Sequence, residues 1–298
     1  MKTNAPTRRI PLARLAPVLA AGSLLTLVAC GEDSTANNDQ PTGTIAPPVL
    51  TPAVPTTAAP PGIEHPTGAD EAVIEIIFEG GFVPADFAFR NLPLLLVSGN
   101  GSHFTQGPQI AIFPGPMLPN VLVSDIGEPG VQQLLDLAAE HGLLTQRAYE
   151  RNDMIADASD TVVRISANGE TYEHRAYALG MGAGVGDDSV ETGDRAELQA
   201  FIDAAISTSP ADAVGFEPQT FLVRATPVTD TSGYDVEPTI AEWSIEGVTL
   251  ADAADCVAIP ATDVQELFST ANQLTFFTEA DVTYQLSVRP QLPGDLGC

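Results

Sequence analysis

Residues 161–179 read TVVRISANGETYEHRAYAL, and this run decides the fold class. Asn168-Gly169 is the dipeptide favoured by a two-residue type I′ turn, which needs positive φ at both central positions. Pairing outward from it sets Ile165 opposite Tyr172 and Val163 opposite His174 on one face, with Arg164 opposite Glu173 on the other. Successive strand side chains alternate between faces, so the first set is core and the second is solvated. A hairpin with one apolar face needs cover from another layer.

The flanking sequence supplies more of the same kind. Ala72–Phe78 is a β-type run closed by Gly80-Gly81, and Leu92–Ser98 followed by Asn100-Gly101 predicts a second hairpin. Three segments instead carry apolar residues at i, i+3, i+4 and i+7. They are Val131, Leu134, Leu135, Ala138; Leu198, Phe201, Ile202, Ala205; and Val264, Leu267, Phe268, Ala271. Pro129 suits a first helical turn, while Asp194 with Glu197 and Thr262 with Gln265 have capping-box spacing. The expected class is α+β, antiparallel sheets with a few short helices.

A weak internal repeat accompanies these elements. Gln109–Phe113 parallels Thr239–Trp243, Val131–Leu134 parallels Val264–Leu267, and Thr171-Tyr172-Glu173 parallels Thr283-Tyr284-Gln285, in the same order. The matches predict two tandem related units, 70–208 and 209–298. One continuous α+β domain with coincidental matches is the alternative.

The N-terminus reads differently. Lys2, Arg8, Arg9 and Arg14 precede Cys30 with no acid among them, and Leu15–Ala29 is almost wholly apolar. That run of about fifteen residues is shorter than the roughly twenty a spanning helix needs, so residues 1–29 are expected to be a secretory signal peptide. It closes with Leu27-Val28-Ala29-Cys30, which resembles the lipobox of bacterial lipoproteins. The resemblance implies a diacylglyceryl thioether on Cys30, often with an amide-linked acyl chain, which meets the requirement of stable anchoring for two lipid chains. Thr7-Arg8-Arg9 partly matches a twin-arginine signal, but Pro11 stands where an aromatic is preferred, so both export routes stay open. Glu32 to about Ala69 is rich in Pro, Thr, Ala and Asn, and residues 30–69 are expected to be the lipidated cysteine and a disordered tether that includes a solvated His65. The location implied is the extracytoplasmic face of the cell membrane.

Charge narrows the partners. The chain has 12 Lys and Arg against 39 Asp and Glu; cleavage after Ala29 removes 4 cations and no acid, leaving 12 − 4 = 8 arginines and a formal charge of 8 − 39 = −31. Such a surface repels nucleic acid and anionic headgroups, so nucleic-acid binding is excluded. The same acid-rich, Lys-poor composition is also written by high-GC and salt-adapted genomes. No Lys follows Lys2, which rules out a Schiff-base lysine, a Ser-Lys dyad or a P-loop lysine in the mature chain. With Cys30 carrying lipid, Cys256 and Cys298 remain as the expected disulfide.

No G-x-S-x-G elbow, H-E-x-x-H helix or Walker loop occurs, and no catalytic or cofactor-binding residue is assigned. His141 falls in the last turn of a helix before Gly142, His174 on the inward hairpin face, and His103 beside Ser98 and Ser102 without an orienting acid. Gly180–Gly186 lacks the spacing of a phosphate loop. Asp187, Asp188 and Glu191 gather oxygen ligands of the kind calcium uses, in no EF-hand register. Pro114, Pro116, Met117 and Leu118 form a rigid apolar segment, either a loop presented to a partner or a brace for a crossover.

Gly80-Gly81-Phe82 after a first strand, then hairpins, a helix and an Asn-Gly hairpin, is similar to emfourin-type inhibitors of thermolysin-like metalloproteases, over the first unit alone. No functional residue is carried across. More broadly the chain resembles the lipoproteins of uncharacterised function common in actinobacteria, which implies location. The expected function is a non-enzymatic binding or inhibitor domain, held at the membrane through Cys30, with an extracytoplasmic protein as partner. A secreted hydrolase or carbohydrate-active enzyme with unidentified carboxylates is one alternative, and a calcium-dependent envelope structural domain is another.

Overall fold

The computed structural model describes residues 62–151, 155–181, 191–208 and 210–298. The hairpin run forms β5 (Asp160–Ala167) and β6 (Glu170–Tyr177) in the register derived from its turn, with Ile165 opposite Tyr172, Val163 opposite His174 and Arg164 opposite Glu173. Asn168 and Gly169 adopt φ of 54° and 76°. The other hairpin forms as β2 (Leu95–Ser98) and β3 (Ser102–Gln106), closed by a bond from Gly101 N–H to the Ser98 carbonyl.

With β1 (Ala72–Glu79), β4 (Val121–Asp125) and β7 (Val214–Gly215), these strands make a seven-stranded antiparallel sheet in the order β6-β5-β1-β2-β3-β4-β7. One face lies beneath α2 (Gly127–Glu140) and α3 (Gly193–Ser207). The apolar stripes expected on those helices are the residues buried there, and they share a core with Ile74, Ile76, Val163 and Ile165. Burying stripes of Leu, Ile and Phe stabilises by about 1.5–3 kcal/mol per large side chain, which outweighs propensity in fixing where helices dock.

The second sheet is built from β8 (Thr220–Val228), β9 (Thr239–Glu242), β10 (Val257–Pro260), β11 (Thr275–Glu279) and β12 (Val282–Pro290), in the order β10-β8-β12-β11-β9. Among the described residues only the β9–β11 pairing is parallel. Helix α4 (Ala261–Thr270) buries Val264 and Phe268 against it, and the Phe268 ring meets Phe221 edge-on and stacks on Trp243. The fold is thus α+β and mostly sheet, and both sheets belong to one compact unit. A short helix, α1 (Ala85–Arg90), packs on β12; its Phe89 ring lies under the guanidinium groups of Arg224 and Arg289 at 4.6 and 5.4 Å.

Several expectations are revised. Neither capping box forms, because Asp194 and Thr262 lie inside their helices: Asp194 pairs with Arg147 at 2.8 Å, Glu197 binds His141 at 2.8 Å, and Thr262 donates to Asp263. Of the internal matches, α2 answers α4 and β6 answers β12, whereas Gln109–Phe113 is loop and Thr239–Glu242 is β9. The first sheet continues past residue 208, since β7 follows α3, and the second begins at Thr220. Residues 62–69 lie against the domain instead of floating. Ile63 N–H donates to Gln132 Oε1 at 2.8 Å, Asn168 N–H to the Glu64 carbonyl at 2.7 Å, and the nearly buried His65 ring meets Glu128.

Candidate functional site

Between Asn91 and Ser124 the chain carries no Asp, Glu, Lys or Arg, although the whole sequence has a formal charge of −27. This uncharged stretch makes β2, β3 and the long connection from β3 to β4. The connection is pinned at both feet. Gly107 N–H donates to the Asn120 carbonyl at 2.9 Å, and Asn120 Nδ2 donates to the Pro108 carbonyl at 3.0 Å. Further along, Pro116 bridges to Asn272, Met117 N–H donates to the Ala271 carbonyl at 3.2 Å, and Gln273 N–H to the Gly115 carbonyl at 2.9 Å.

The segment singled out as a rigid loop is therefore a joint between the two sheets. Met117 is buried in the core of the second sheet, Leu118 packs against that core, Pro114 is half-buried and Pro116 is exposed. What projects is the preceding run. Ile110, Ile112 and Phe113 are 66, 60 and 64% exposed, and Ile112 N–H closes a tight turn onto the Ile110 carbonyl at 2.9 Å. Across from them, α1 presents Phe87, 52% exposed. A groove of about 350 Å³ lies between, floored by Leu92, Met117 and Val288. Large apolar side chains exposed together, with both feet of their loop tied down, mark an interaction site more often than a packing accident.

Arg90 is the charged side chain lining this groove. Its Nη2 donates to Asp86 at 3.0 Å, but its Nε is buried without a hydrogen-bond partner. A buried unmatched N–H costs about 1–3 kcal/mol.

The position of the groove follows from strand register. The described chain begins at Gly62 and runs past the β5–β6 turn, where Ile165 pairs with Ile74 near the start of β1. The β3–β4 connection lies at the other end, because Gln106 pairs with Val121 and Leu95 with both Thr105 and Ile76. Helix α1 is there too: Asn91 at its end donates to the carbonyl of Phe78. At about 3.3 Å per residue, an eight-residue strand separates the two ends by roughly 25 Å.

A larger cleft of about 500 Å³ lies beside α1, lined by Phe89, Arg164, Arg289, Leu292 and Asp295. Its cations are already committed: Arg164 to Glu75, Glu79 and Glu173 at 2.6 to 3.0 Å, and Arg289 to Asp295. The cleft reads as the seam where the C-terminal tail crosses the first sheet, and Gly294 N–H donates to the Asp70 carbonyl there at 2.8 Å. Cys256 and Cys298 are joined by a disulfide that ties the tail to β10.

The histidines are structural in placement. His174 is fully buried, with Nε2 2.8 Å from the Leu143 carbonyl and Nδ1 2.9 Å from the Tyr149 hydroxyl. His103 is buried too, and Ser98, on the other strand of the hairpin, donates instead to Asn100 Oδ1 at 2.6 Å. Burial pushes both imidazoles below their ordinary pKa. Asp187 and Asp188 lie outside the described residues. Glu191 is held by Arg195 at 2.7 Å and accepts from Gly180 N–H at 2.9 Å, and the Arg195 hydrogen bonds keep its carboxyl below the usual range. Among the described residues no three potential metal ligands cluster. Cys30 also lies outside the described residues.

Sequence reasoning missed Phe87, Arg90 and the Ile110–Phe113 crest. The available signal was the absence of charge from 91 to 124, which stands out only against so acidic a chain. Comparison of the chain with family models, curated proteins and solved structures finds no match.

Proposed function

We propose that this protein is a lipid-anchored extracytoplasmic binding protein, without enzymatic activity, that uses the Ile110–Phe113 crest and the groove beside it to hold another extracytoplasmic protein. The observation that carries the reading is the polarity of the domain. The chain joins the fold at one end of the seven-stranded sheet, and the exposed apolar crest lies at the opposite end. A lipid on Cys30 and a long Pro- and Thr-rich tether would join the domain at the end opposite the crest and so leave the crest unobstructed by the anchor. The lipobox-like Leu27-Val28-Ala29-Cys30 supports the anchor, and the formal charge of 8 − 39 = −31 after cleavage keeps the rest of the surface off anionic headgroups. An inhibitor of an extracytoplasmic protease is one form such a partner-binding domain takes.

The test is photo-crosslinking in the producing cell from position 112 of the full chain, with position 136 on the outside of α2 as control. A protein adduct formed from 112 and lost in an Ile110→Asp variant is expected. Identical adducts from both positions, or none from 112, would overturn the assignment. For the anchor, Cys30→Ala should release the protein from the membrane fraction, and unchanged retention would refute lipidation.

A further inference from the structure

The groove beside the crest has polar features that an apolar contact patch does not need. Five carboxamides line it; Gln273 accepts from Gly115 N–H through its Oε1 at 3.3 Å, and the other four each spend the NH₂ group on a backbone carbonyl of the surrounding loops. Gln106 donates to Leu92 at 2.9 Å, Gln109 to Gly107 at 3.2 Å, Asn120 to Pro108 at 3.0 Å, and Asn91 to Phe78. This common orientation leaves the four side-chain carbonyl oxygens as acceptors. A hydrocarbon ligand offers no donor to such a rim, whereas an extended polypeptide offers an N–H at every residue.

The charge is as selective. Among the described arginines, Arg147, Arg164, Arg175, Arg195 and Arg289 are tied to carboxylates elsewhere, and Arg224 is bonded to the Asp255 carbonyl over Phe89. Arg90 alone borders the groove, and its ion pair is with Asp86, itself half exposed to solvent. Solvated pairs of this kind hold a guanidinium only weakly. A carboxylate arriving in the groove would meet the same cation with less water around it, where a charge-assisted pair is stronger.

From the apolar floor, the carbonyl rim and this one cation, we infer that the groove captures the C-terminal end of an extended apolar polypeptide, with its terminal carboxylate on Arg90. A volume of about 350 Å³ accommodates two or three side chains and not a folded domain. The inference rests on the binding role proposed above and names the part of the partner that the site takes.

The experiment is calorimetric titration of the full chain in phospholipid nanodiscs with four N-acetyl tetrapeptides that end in Ala, Val, Leu or Phe. Each is used as the free acid and as the C-terminal amide, with octanoate as the lipid-like probe. Saturable binding of at least one free acid is expected, with amidation or Arg90→Met weakening it by about tenfold or more. Arg90→Met keeps the apolar stem, and its urea midpoint separates lost recognition from lost folding. Ile112→Asp should abolish binding at an unchanged midpoint, since that side chain is mostly solvent-exposed in the fold. No binding by any of the four acids, equal binding of acid and amide, or octanoate binding as tightly as the best peptide would each overturn the inference. If the crosslink from position 112 persists while the peptides fail, the binding role stands and only the C-terminal capture falls.

Discussion

His103 and Ser124 oppose each other across β3 and β4, both buried, and neither His103 Nε2 nor Ser124 Oγ has a hydrogen-bond partner. Burial favours the neutral imidazole, so the folded pKa of His103 lies below the ordinary 6.5, and His174 shifts the same way. The unfolded chain then takes up these protons first as the pH falls. The contribution is fully present above about pH 6.5 and is lost as the pH drops through the folded-state values. Urea midpoints should fall between pH 8 and pH 5.5, and the fall should be smaller in His103→Leu. Equal slopes in the two proteins would remove His103 from the account. Ser124→Ala should be neutral or stabilising by up to about 1 kcal/mol, because it deletes an unmatched polar atom.

Tyr149 and His174 make a complementary pair. The Leu143 carbonyl can only accept, so His174 Nε2 carries the proton and Nδ1 accepts from the Tyr149 hydroxyl at 2.9 Å. Burial pushes the phenol up to about 12, which keeps it a donor throughout the physiological range. Tyr149→Phe leaves a buried Nδ1 unmatched and should cost about 1–2 kcal/mol in chemical denaturation. A loss below a few tenths would show that water replaces the hydroxyl.

Arg164 holds three carboxylates of the outer sheet face, Glu75, Glu79 and Glu173. Burial alone would raise Glu79, but hydrogen bonds from Arg164 and Arg175 keep it below the ordinary carboxylate range. Arg164→Met should destabilise by about 1–3 kcal/mol, a range discounted for the partial exposure of the cluster. The loss should be alike at pH 8 and pH 6 and shrink as the pH falls below about 4.5, because the depressed Glu79 contributes stability only above the unfolded carboxylate value. A pH-independent loss would assign it to packing of the arginine stem.

The β11–β12 turn places Ala280 and Asp281 at φ of 47° and 65°, in the region a type I′ turn requires and Asn-Gly adopts most easily. Replacing Ala280→Asn together with Asp281→Gly should raise stability by about 1 kcal/mol, seen as a higher thermal midpoint. The turn in the first sheet already has this dipeptide, Asn168-Gly169, and should gain nothing from further change.

The disulfide closes a sequence separation of 42 residues. By chain entropy, Cys256→Ser with Cys298→Ser should cost about 4 kcal/mol. A cost near zero would mean that the tail is held by Arg289–Asp295 and Gly294–Asp70 without help.

The elements legible in the chain were those that carry their instructions locally. A two-residue turn fixes its own register, so Asn168-Gly169 was enough to place Val163, His174 and the ladder around them. Three apolar stripes at helical spacing located α2, α3 and α4. Strand β9 and the Gln109–Phe113 run look alike in sequence, yet one is paired and the other is exposed loop. The difference is the available neighbour: β11 lies beside Thr239–Glu242, and no strand among the described residues lies beside Gln109–Phe113.

By itself the sequence determined the α+β class, the hairpin register, the helix stripes, the acidic surface and the pattern expected of a lipoprotein leader. Those are properties of composition and of contacts a few residues apart. Only the tertiary structure decided that Pro114–Pro119 is a joint, that Ile110, Ile112 and Phe113 stand out beside Phe87, and that Arg90 faces the groove between them. Each depends on partners far away in the chain, as when Gly115 and Met117 meet Gln273 and Ala271, and no periodicity in one strand or helix encodes which distant backbone will satisfy its hydrogen bonds.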